Sequence, residues 1–335
     1  MMHRPVMVAV MLLGTLGAVR AAVPSAPATT PSNTAAPVGV SELLSLGRVD
    51  DAIKALDLRL KNSPSDAEAY NLLSRSYFAM QKWDQAITAG EQAVSIAPNN
   101  SEYHMWLGRA YGEKANHSSF VTAAQLTKKI RTEFERAVEL NAMNLHARSD
   151  LAEFYIDAPA FMGGGRSKAK REAEAIAQQD GALAHWLQAS ILAKEKKYDE
   201  AEQEYRAAIV ASHNQGSYWL NLASFYRRMG RLNDMESAIT SAIVADKKKP
   251  NVFFDAAQIL FSARRNFIGA AQFIRNYLAG ATMEEAPAFQ AHFLLGEILE
   301  KQGNKEGAVA EYRAALALAQ GFERARDALH RLEQQ

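Results

Sequence analysis

A period of 34 residues recurs along this 335-residue chain and limits its possible folds more than any other feature. Windows that begin at residues 67, 216 and 289 align over all 34 positions. A repeat of this length predicts an array whose units bury a hydrophobic core only by stacking on their neighbours. The eighth position of seven successive windows holds a small residue: Ser74, Gly108, Ala152, Ala189, Ala223, Ala257 and Gly296. Small residues recur in the second half of the units: Ala52, Ala86, Ala169, Ala201, Ala270 and Ala308.

This spacing predicts two antiparallel helices in each unit. Alanine accounts for 61 of the 335 residues, and it loses no side-chain entropy in a helix. Two helices that cross closely need a small side chain at the crossing, and a large residue three positions later, such as Tyr77 or Tyr226, fills the space beyond it. Gly47, Gly230 and Gly303 stand where the turn between the helices requires a positive φ.

The pattern resembles the tetratricopeptide repeat family, most clearly in AEAYNLLSRSYFAMQKWDQAITAGEQAVSIAPNN at residues 67–100. The resemblance covers approximately residues 40–332. It implies an all-α, right-handed superhelical solenoid of helix hairpins, with a concave groove lined by the first helix of each unit. About eight units are predicted, followed by an amphipathic capping helix at residues 323–332. Their bounds are 38–66, 67–100, 101–144, 145–181, 182–215, 216–249, 250–288 and 289–322, within a solenoid domain at residues 38–335.

The N-terminal residues are predicted to be an export signal. The apolar run at residues 6–19 has fourteen residues, too few to span a membrane, which takes about 20. Residues 1–21 are therefore interpreted as a signal peptide cut after Ala21, with an uncleaved anchor as the alternative, and residues 22–37 as an Ala/Pro/Ser/Thr linker. The mature protein is expected to be periplasmic or secreted, without stable membrane insertion. It resembles an uncharacterised group of exported bacterial repeat proteins.

The groove is the first candidate site. By analogy with the family, the second, fifth, ninth, twelfth and thirteenth positions of each unit face the groove. They predict a protein or peptide as partner, with the alternative that some of the aromatic residues only pack between hairpins. The predicted groove-binding residues are Asn71, Arg75, Met105, Arg109, Trp186, Arg227, Phe254 and Phe293.

The second candidate site lies where the period is interrupted. Residues 114–136 include a ten-residue insertion and residues 158–172 a shorter one, and each range has a net charge of +3. Turns within neighbouring hairpins share one edge of a solenoid, so the two ranges should lie side by side; we call them the basic edge. They predict binding of an anionic ligand such as a carboxylate, a lipid headgroup or an acidic polymer, against the alternative of solvated turns. The candidate residues are Lys128, Lys129, Arg131, Gly163, Gly164, Gly165, Arg166 and Lys168.

The sequence favours a non-enzymatic scaffold without cofactor or metal. The chain has no cysteine, which excludes disulfides and thiolate chemistry, and a net charge of +1 gives no overall attraction for nucleic acid. Motifs of zinc proteases, serine hydrolases and phosphate-binding loops are missing. His104, His185 and His292 recur at the fourth position of their units and are interpreted as packing residues. A hydrolytic site of His117 with Ser118 and Ser119 is the weakest alternative.

Overall fold

The structure, a computed structural model, describes residues 39–247 and 249–334 of the chain. The predicted signal peptide and linker lie outside these residues. Across the described residues the chain forms 17 α-helices and one short 3₁₀ turn, which confirms the all-α solenoid. The first four hairpins are α1 (Val40–Ser45) and α2 (Val49–Asn62), α3 (Ala67–Ala79) and α4 (Trp83–Ile96), α5 (Ser101–Asn116) and α6 (Phe120–Leu140), and α7 (Leu145–Asp157) and α8 (Arg166–Ala177).

The second half of the chain continues the same hairpins. The capping helix α17 follows the last unit, as predicted, and buries Ala325, Ala328 and Leu332. Among the described helices none is both long and apolar enough to span a membrane. The remaining helices are α9 (Gly181–Lys194) and α10 (Tyr198–Ala211), α11 (Gly216–Arg228) and α12 (Leu232–Ala245), α13 (Pro250–Ser262) and α14 (Phe267–Leu278), α15 (Ala288–Lys301) and α16 (Lys305–Leu318), and α17 (Glu323–Glu333).

Small residues form the crossing point of the two helices in each hairpin. The recurring alanines of both halves are fully buried, as Ala152, Ala201 and Ala308 illustrate. A Cβ atom on Gly108 would lie 2.6 Å from Cε1 of Phe134, which comes from the second helix of the same unit. A glycine in α5 thus leaves room for the ring that α6 inserts, and the two helices interlock.

Tyrosines at the eleventh position connect three units to the units before them. Tyr111 Oη donates a hydrogen bond to Glu91 (2.5 Å), and Tyr155 Oη donates one to Glu135 (2.8 Å); each pair is 20 residues apart. The tyrosine body therefore fills the hairpin while its hydroxyl bonds to the second helix of the preceding unit.

Turns and caps follow the sequence signals. Gly47, Gly230 and Gly303 have φ values of 71°, 71° and 79°, as predicted for the turn inside a unit. The N-cap side chains of Asp66 and Asn144 each accept a hydrogen bond from the first turn of the helix they precede. These hairpins therefore begin and turn at residues suited to those positions.

The two interruptions of the period lie beside each other, as predicted. Helix α6 begins early, with Ser119 as its N-cap, and is 21 residues long. The 3₁₀ turn at Ala160–Met162 contacts α6, and Gly163 directly adjoins the side chain of Arg131. The inserted residues thus extend one helix and add a turn against it, without changing the helix crossings.

The first and last units of the solenoid touch each other. A Cβ atom on Gly47 would lie 2.6 Å from the backbone nitrogen of Ala288, so the turn after α1 approaches the start of α15 too closely for a side chain. The superhelix therefore closes on itself over one turn. Among the hydrogen bonds that join the first two units to the last two are Thr282 Oγ1 to Ser45 O (2.8 Å), Gln290 Nε2 to Ala79 O (2.7 Å) and Gln320 N to Asp50 Oδ2 (2.7 Å).

Replacing Gly108 by alanine tests the helix crossing. We expect Gly108→Ala to lower the free energy of unfolding by about 1–3 kcal/mol, because the new methyl group overlaps the buried ring of Phe134. Gly181→Ala is the control, since no atom lies within 4 Å of a Cβ at Gly181. Urea denaturation followed by circular dichroism measures both changes. An equal effect of the two substitutions would contradict the close crossing.

Candidate functional site

The N-terminal half of the concave face carries a stacked cluster of one tryptophan and two arginines. The guanidinium carbon of Arg75 lies 4.9 Å from the ring centroid of Trp106, and that of Arg109 lies 4.8 Å from it. Phe78 contacts Trp106 edge-on, with the ring centroids 5.7 Å apart. Arg75 and Arg109 were predicted from their ninth positions. Trp106 was missed, although it lies three residues before Arg109 on the same face of α5.

Both arginines are already paired with carboxylates of this chain. Arg109 Nε lies 2.6 Å from Asp150, which is on the next first helix. Arg75 donates from Nε and Nη2 to the two carboxylate oxygens of Glu284, at 2.7 and 2.6 Å. Glu284 belongs to the connection between α14 and α15, and no sequence signal links it to Arg75. In this conformation the two predicted binding cations are not free.

The fifth position of the units is buried in most of the predicted groove, which for Phe254 and Phe293 favours the alternative that they pack between hairpins. The cause is the close packing of the hairpins: Met105 contacts Ala147 of the next first helix, and the ring of Phe293 lies 5.6 Å from that of Tyr312. Trp186 remains half-buried. The fifth-position residues that are at most 7% exposed are Asn71, Met105, Leu220, Phe254 and Phe293.

The C-terminal half of the concave face leaves cationic side chains without a carboxylate partner. Arg227 is half-buried, and its Nε atom is buried without a hydrogen-bond partner in the described part of the chain. Burial lowers the pKa of Arg227, and repulsion from Arg228 lowers it further. Arg228 is exposed and donates to the hydroxyl of Tyr205 at 3.2 Å. This region, with Trp186 on α9, can accept an acidic group from outside.

Two carboxyl groups of the first helices have pKa values raised to near neutral pH. Burial, with repulsion from Asp150 and Asp157, raises the pKa of Glu153 to about 8. Burial alone raises the pKa of Asp255 to about 7. These groups gain or lose a proton near neutral pH, so the charge on this part of the first helices depends on pH in that range.

The glycine run of the basic edge does not present open amides. The N–H groups of Gly163, Gly164 and Gly165 donate to the carbonyl oxygens of Ala160 (3.0 Å), Pro159 (3.2 Å) and Tyr155 (2.9 Å). The prediction that these three glycines bind an anion is therefore wrong, because their donors are used to shape the turn.

The cations of the basic edge fall into two groups. Four of the predicted residues have partners within the chain. The exposed Lys128, Lys170 and Arg171 have no ion pair among the described residues, so anion binding at this edge stays a prediction. The partners are Glu91 for Lys129, Glu135 for Arg131 and Glu195 for Arg166, at 3.3, 3.8 and 2.6 Å, and the carbonyl of Gly163 for Lys168, at 2.9 Å.

His117 does not form a nucleophile–base pair. Its Nδ1 lies 2.9 Å from the carbonyl oxygen of Glu113, and its ring stacks on Trp83. Ser118 Oγ donates to the carbonyl of Lys114 (2.6 Å), and Ser119 caps α6. The two hydroxyls serve helix ends, so the hydrolytic alternative has no geometric support.

The recurring histidines form a repeated ion-pair position that the sequence reading missed. Each pairs with a glutamate on the second helix of its own unit. The sequence signal for these pairs is their regular spacing. The histidine and the glutamate are 19 residues apart in two units and 29 apart in the unit with the ten-residue insertion. Arg148 and Glu172 occupy the same position in the fourth unit, 2.6 Å apart. The histidine pairs are His104–Glu133, His185–Glu204 and His292–Glu311, at 2.5, 2.7 and 2.7 Å.

Comparison with known sequences identifies the repeats. Sequence models of the tetratricopeptide repeat match residues 40–101, 72–117, 163–217 and 289–322. This chain is therefore a tetratricopeptide repeat protein. The matches omit residues 118–162, where the ten-residue insertion and the 3₁₀ turn lie. No curated protein matches the chain in sequence.

Solved structures share the fold at low identity. Yeast Tom70 has 13% identity and a TM-score of 0.53, over 92% of this chain and 66% of the Tom70 chain, so this chain spans slightly less than two thirds of that protein. A tetratricopeptide repeat protein from Parabacteroides merdae has 15% identity and a TM-score of 0.41, over 80% and 99% of the two chains. Pseudomonas aeruginosa PilF has 16% sequence identity and a TM-score of 0.36, over 68% of this chain and 95% of the PilF chain. The similarity to Tom70 shows a common fold alone.

The His104–Glu133 pair predicts a pH-dependent part of the stability. Burial opposes protonation of His104, but hydrogen bonds to Glu133 and to the carbonyl of Pro98 outweigh it and raise the pKa above the ordinary 6.5. When the pKa of a histidine is higher in the folded chain than in the unfolded chain, its protonation stabilises the fold. This stabilisation is complete at pH values below the pKa of the unfolded chain, and it is lost as the pH rises through the pKa of the folded chain. His104→Gln should therefore cost about 1–3 kcal/mol at pH 5.5 and less at pH 8.5.

Arg148 provides the matched control for this measurement. Arg148→Gln removes the same kind of pair from the equivalent position, but arginine does not titrate between these pH values. Urea unfolding at both pH values should give a constant loss for Arg148→Gln and a decreasing loss for His104→Gln. A loss for His104→Gln that does not change with pH would contradict a charged pair.

Proposed function

We propose that this protein is a non-enzymatic scaffold of the bacterial cell envelope that binds a peptide or protein segment in its concave groove. Proteins built from tetratricopeptide repeats bind other proteins or peptides, and the repeats here are of that kind. The proposal does not involve a cofactor or a metal. The groove, with the first helices along its wall, is the surface on which a partner segment would lie.

The observation that carries this proposal is the uncompensated charge on Arg227, in the unit that follows that of Trp186. Arg227 has no carboxylate partner among the described residues, and Arg228 on the same helix is exposed. The buried Nε of Arg227 makes no hydrogen bond among the described residues, and this lost bond destabilises the free protein. A carboxylate from a partner would accept that hydrogen bond. The half-buried ring of Trp186 offers an apolar contact in the adjacent unit.

A double charge reversal tests groove binding. We expect the full mature chain to retain a partner from an extract of the source cells, and Arg227→Glu with Arg228→Glu to lose it by at least tenfold, because the carboxylate site becomes acidic. The control is Arg206→Glu with Arg313→Glu on the second helices α10 and α16, where both side chains are more than half exposed. Circular dichroism confirms folding, and quantitative mass spectrometry measures retention.

The same experiment addresses the basic edge. A carrier or receptor for an anionic ligand is the second candidate function, supported by the unpaired Lys128, Lys170 and Arg171 beside Phe161, whose side chain is 80% exposed. Reversal of Lys128, Lys129, Arg166 and Lys168 to glutamate is the third arm. Loss of the partner in this arm alone would favour the edge and contradict the groove. Retention in every arm would contradict both.

Export of the protein is tested by its N-terminus. We propose that residues 1–21 direct the chain to the periplasm or the medium and are removed after Ala21. Intact-mass measurement of the protein from the envelope fraction should then give a chain that begins at Ala22. A chain that retains residues 1–21 and sediments with the membrane would instead indicate the uncleaved anchor.

A further inference from the structure

We propose that residues 281–285 are an internal stand-in for the acidic segment of a partner, and that a carboxylate-bearing peptide displaces them from Arg75. The inference rests on the proposed groove function and adds a second binding position to it, together with its partner chemistry. The site consists of Arg75, Trp106 and Arg109 on the first helices of the second and third units.

The connection that holds this segment differs from every other connection between units in the described chain. Nine residues separate Leu278 from Ala288, whereas the other inter-unit connections between hairpins have three or four. The extra length is not needed to join α14 to α15. It carries the chain across to the first two units instead, where Thr282 bonds to Ser45 and Glu284 to Arg75.

The segment binds the groove as a peptide ligand would. Glu284 presents both carboxylate oxygens to the guanidinium fork of Arg75, and the other face of Arg75 lies on Trp106. Glu102 adds a weaker contact to Arg75 at 3.4 Å. A bidentate carboxylate on an arginine that stacks on an aromatic ring is a specific recognition geometry, so the occupant defines the chemistry that this position accepts.

The segment is held by a few hydrogen bonds, and only its end near α15 is buried. Tyr277 Oη donates to the carbonyl of Ala286 and accepts from the N–H of Met283. Ala286 is buried, whereas Ala281 and Glu285 are exposed. A movement of residues 281–285 away from Arg75 breaks the bonds of Thr282 and Met283, while the contact of Tyr277 to Ala286 keeps α14 and α15 in place.

The environment of the Glu284 carboxylate lowers the cost of releasing the segment from Arg75. Burial raises the pKa of Glu284, and the attraction of Arg75 only partly opposes this effect. The ionised carboxylate thus gains hydration when it leaves the groove. In the wild-type chain the tethered segment competes with an effective concentration on the order of millimolar, so a free peptide binds weakly until the segment is weakened.

Fluorescence anisotropy with a labelled peptide tests the proposal on the full mature chain. The probe is Ala-Thr-Met-Glu-Glu-Ala-Pro-Ala, the sequence of residues 281–288, and the same peptide with both glutamates changed to glutamine is the neutral probe. Glu284→Ala should bind the acidic probe at least tenfold more tightly than the wild type. Glu284→Ala combined with Arg75→Gln should lose this gain, and the neutral probe should not bind.

Glu172→Ala is the matched control. The Arg148–Glu172 contact also measures 2.6 Å, and its side chains are 15% and 17% exposed, against 19% and 16% for Arg75 and Glu284. This variant should bind the probe no better than the wild type. Equal affinities of folded Glu284→Ala and the wild type, or a gain that does not depend on Arg75, would overturn the proposal.

A second measurement covers the case in which Glu284→Ala is unstable. Thr282→Ala removes only the hydrogen bond to Ser45 and should also increase the affinity, by a smaller factor. Saturating acidic probe should accelerate amide hydrogen exchange at residues 281–285 of the wild type, and unchanged exchange would count against displacement. A partner that is lost on reversal of Arg227 and Arg228, together with no probe binding here, would contradict this inference alone and leave the proposed function intact.

Discussion

The close crossing of two helices in every hairpin is the constraint on which the rest of the structure depends. A small residue on the first helix lets the second approach, and the size of the opposing residue varies to match: Gly90 faces Ser74, whereas the larger Phe134 faces Gly108. Because the crossing fixes the angle of each hairpin, every first helix faces the same side and together they form one concave wall. The insertions are accommodated because they lengthen α6 and the turn before α8, away from the crossings.

The local features of this fold follow from the sequence, whereas the contacts between distant units do not. Each local feature depends on residues of one unit or of two neighbouring units. These features are the period, the small residues, the caps such as Ser119 and the neighbouring insertions, and the structure confirms them. The Arg75–Glu284 pair joins residues 209 positions apart, so no periodic pattern contains it. Burial of Phe254 and Phe293 depends on how closely hairpins approach, which spacing alone does not determine.

Charge is distributed unevenly along the concave face. In the N-terminal half, Arg75 and Arg109 are neutralised by carboxylates of the chain itself and stack on Trp106. In the C-terminal half, Arg227 lacks such a partner within the described residues. A net charge of +1 conceals this difference, since pairing rather than the total determines which cations are available to a ligand. The two halves of the groove are therefore chemically distinct surfaces.

The contact between the first and last units has a consequence for the size of the array. In an open solenoid, repeats can be gained or lost at little cost, because each unit contacts only its neighbours. Here the turn at Gly47 fits against Ala288, and Asp50 accepts a bond from Gln320. Deleting or duplicating a single hairpin would move these surfaces out of register and expose both. The number of repeats is thus part of the tertiary structure, and evolution by repeat duplication is restricted in this chain.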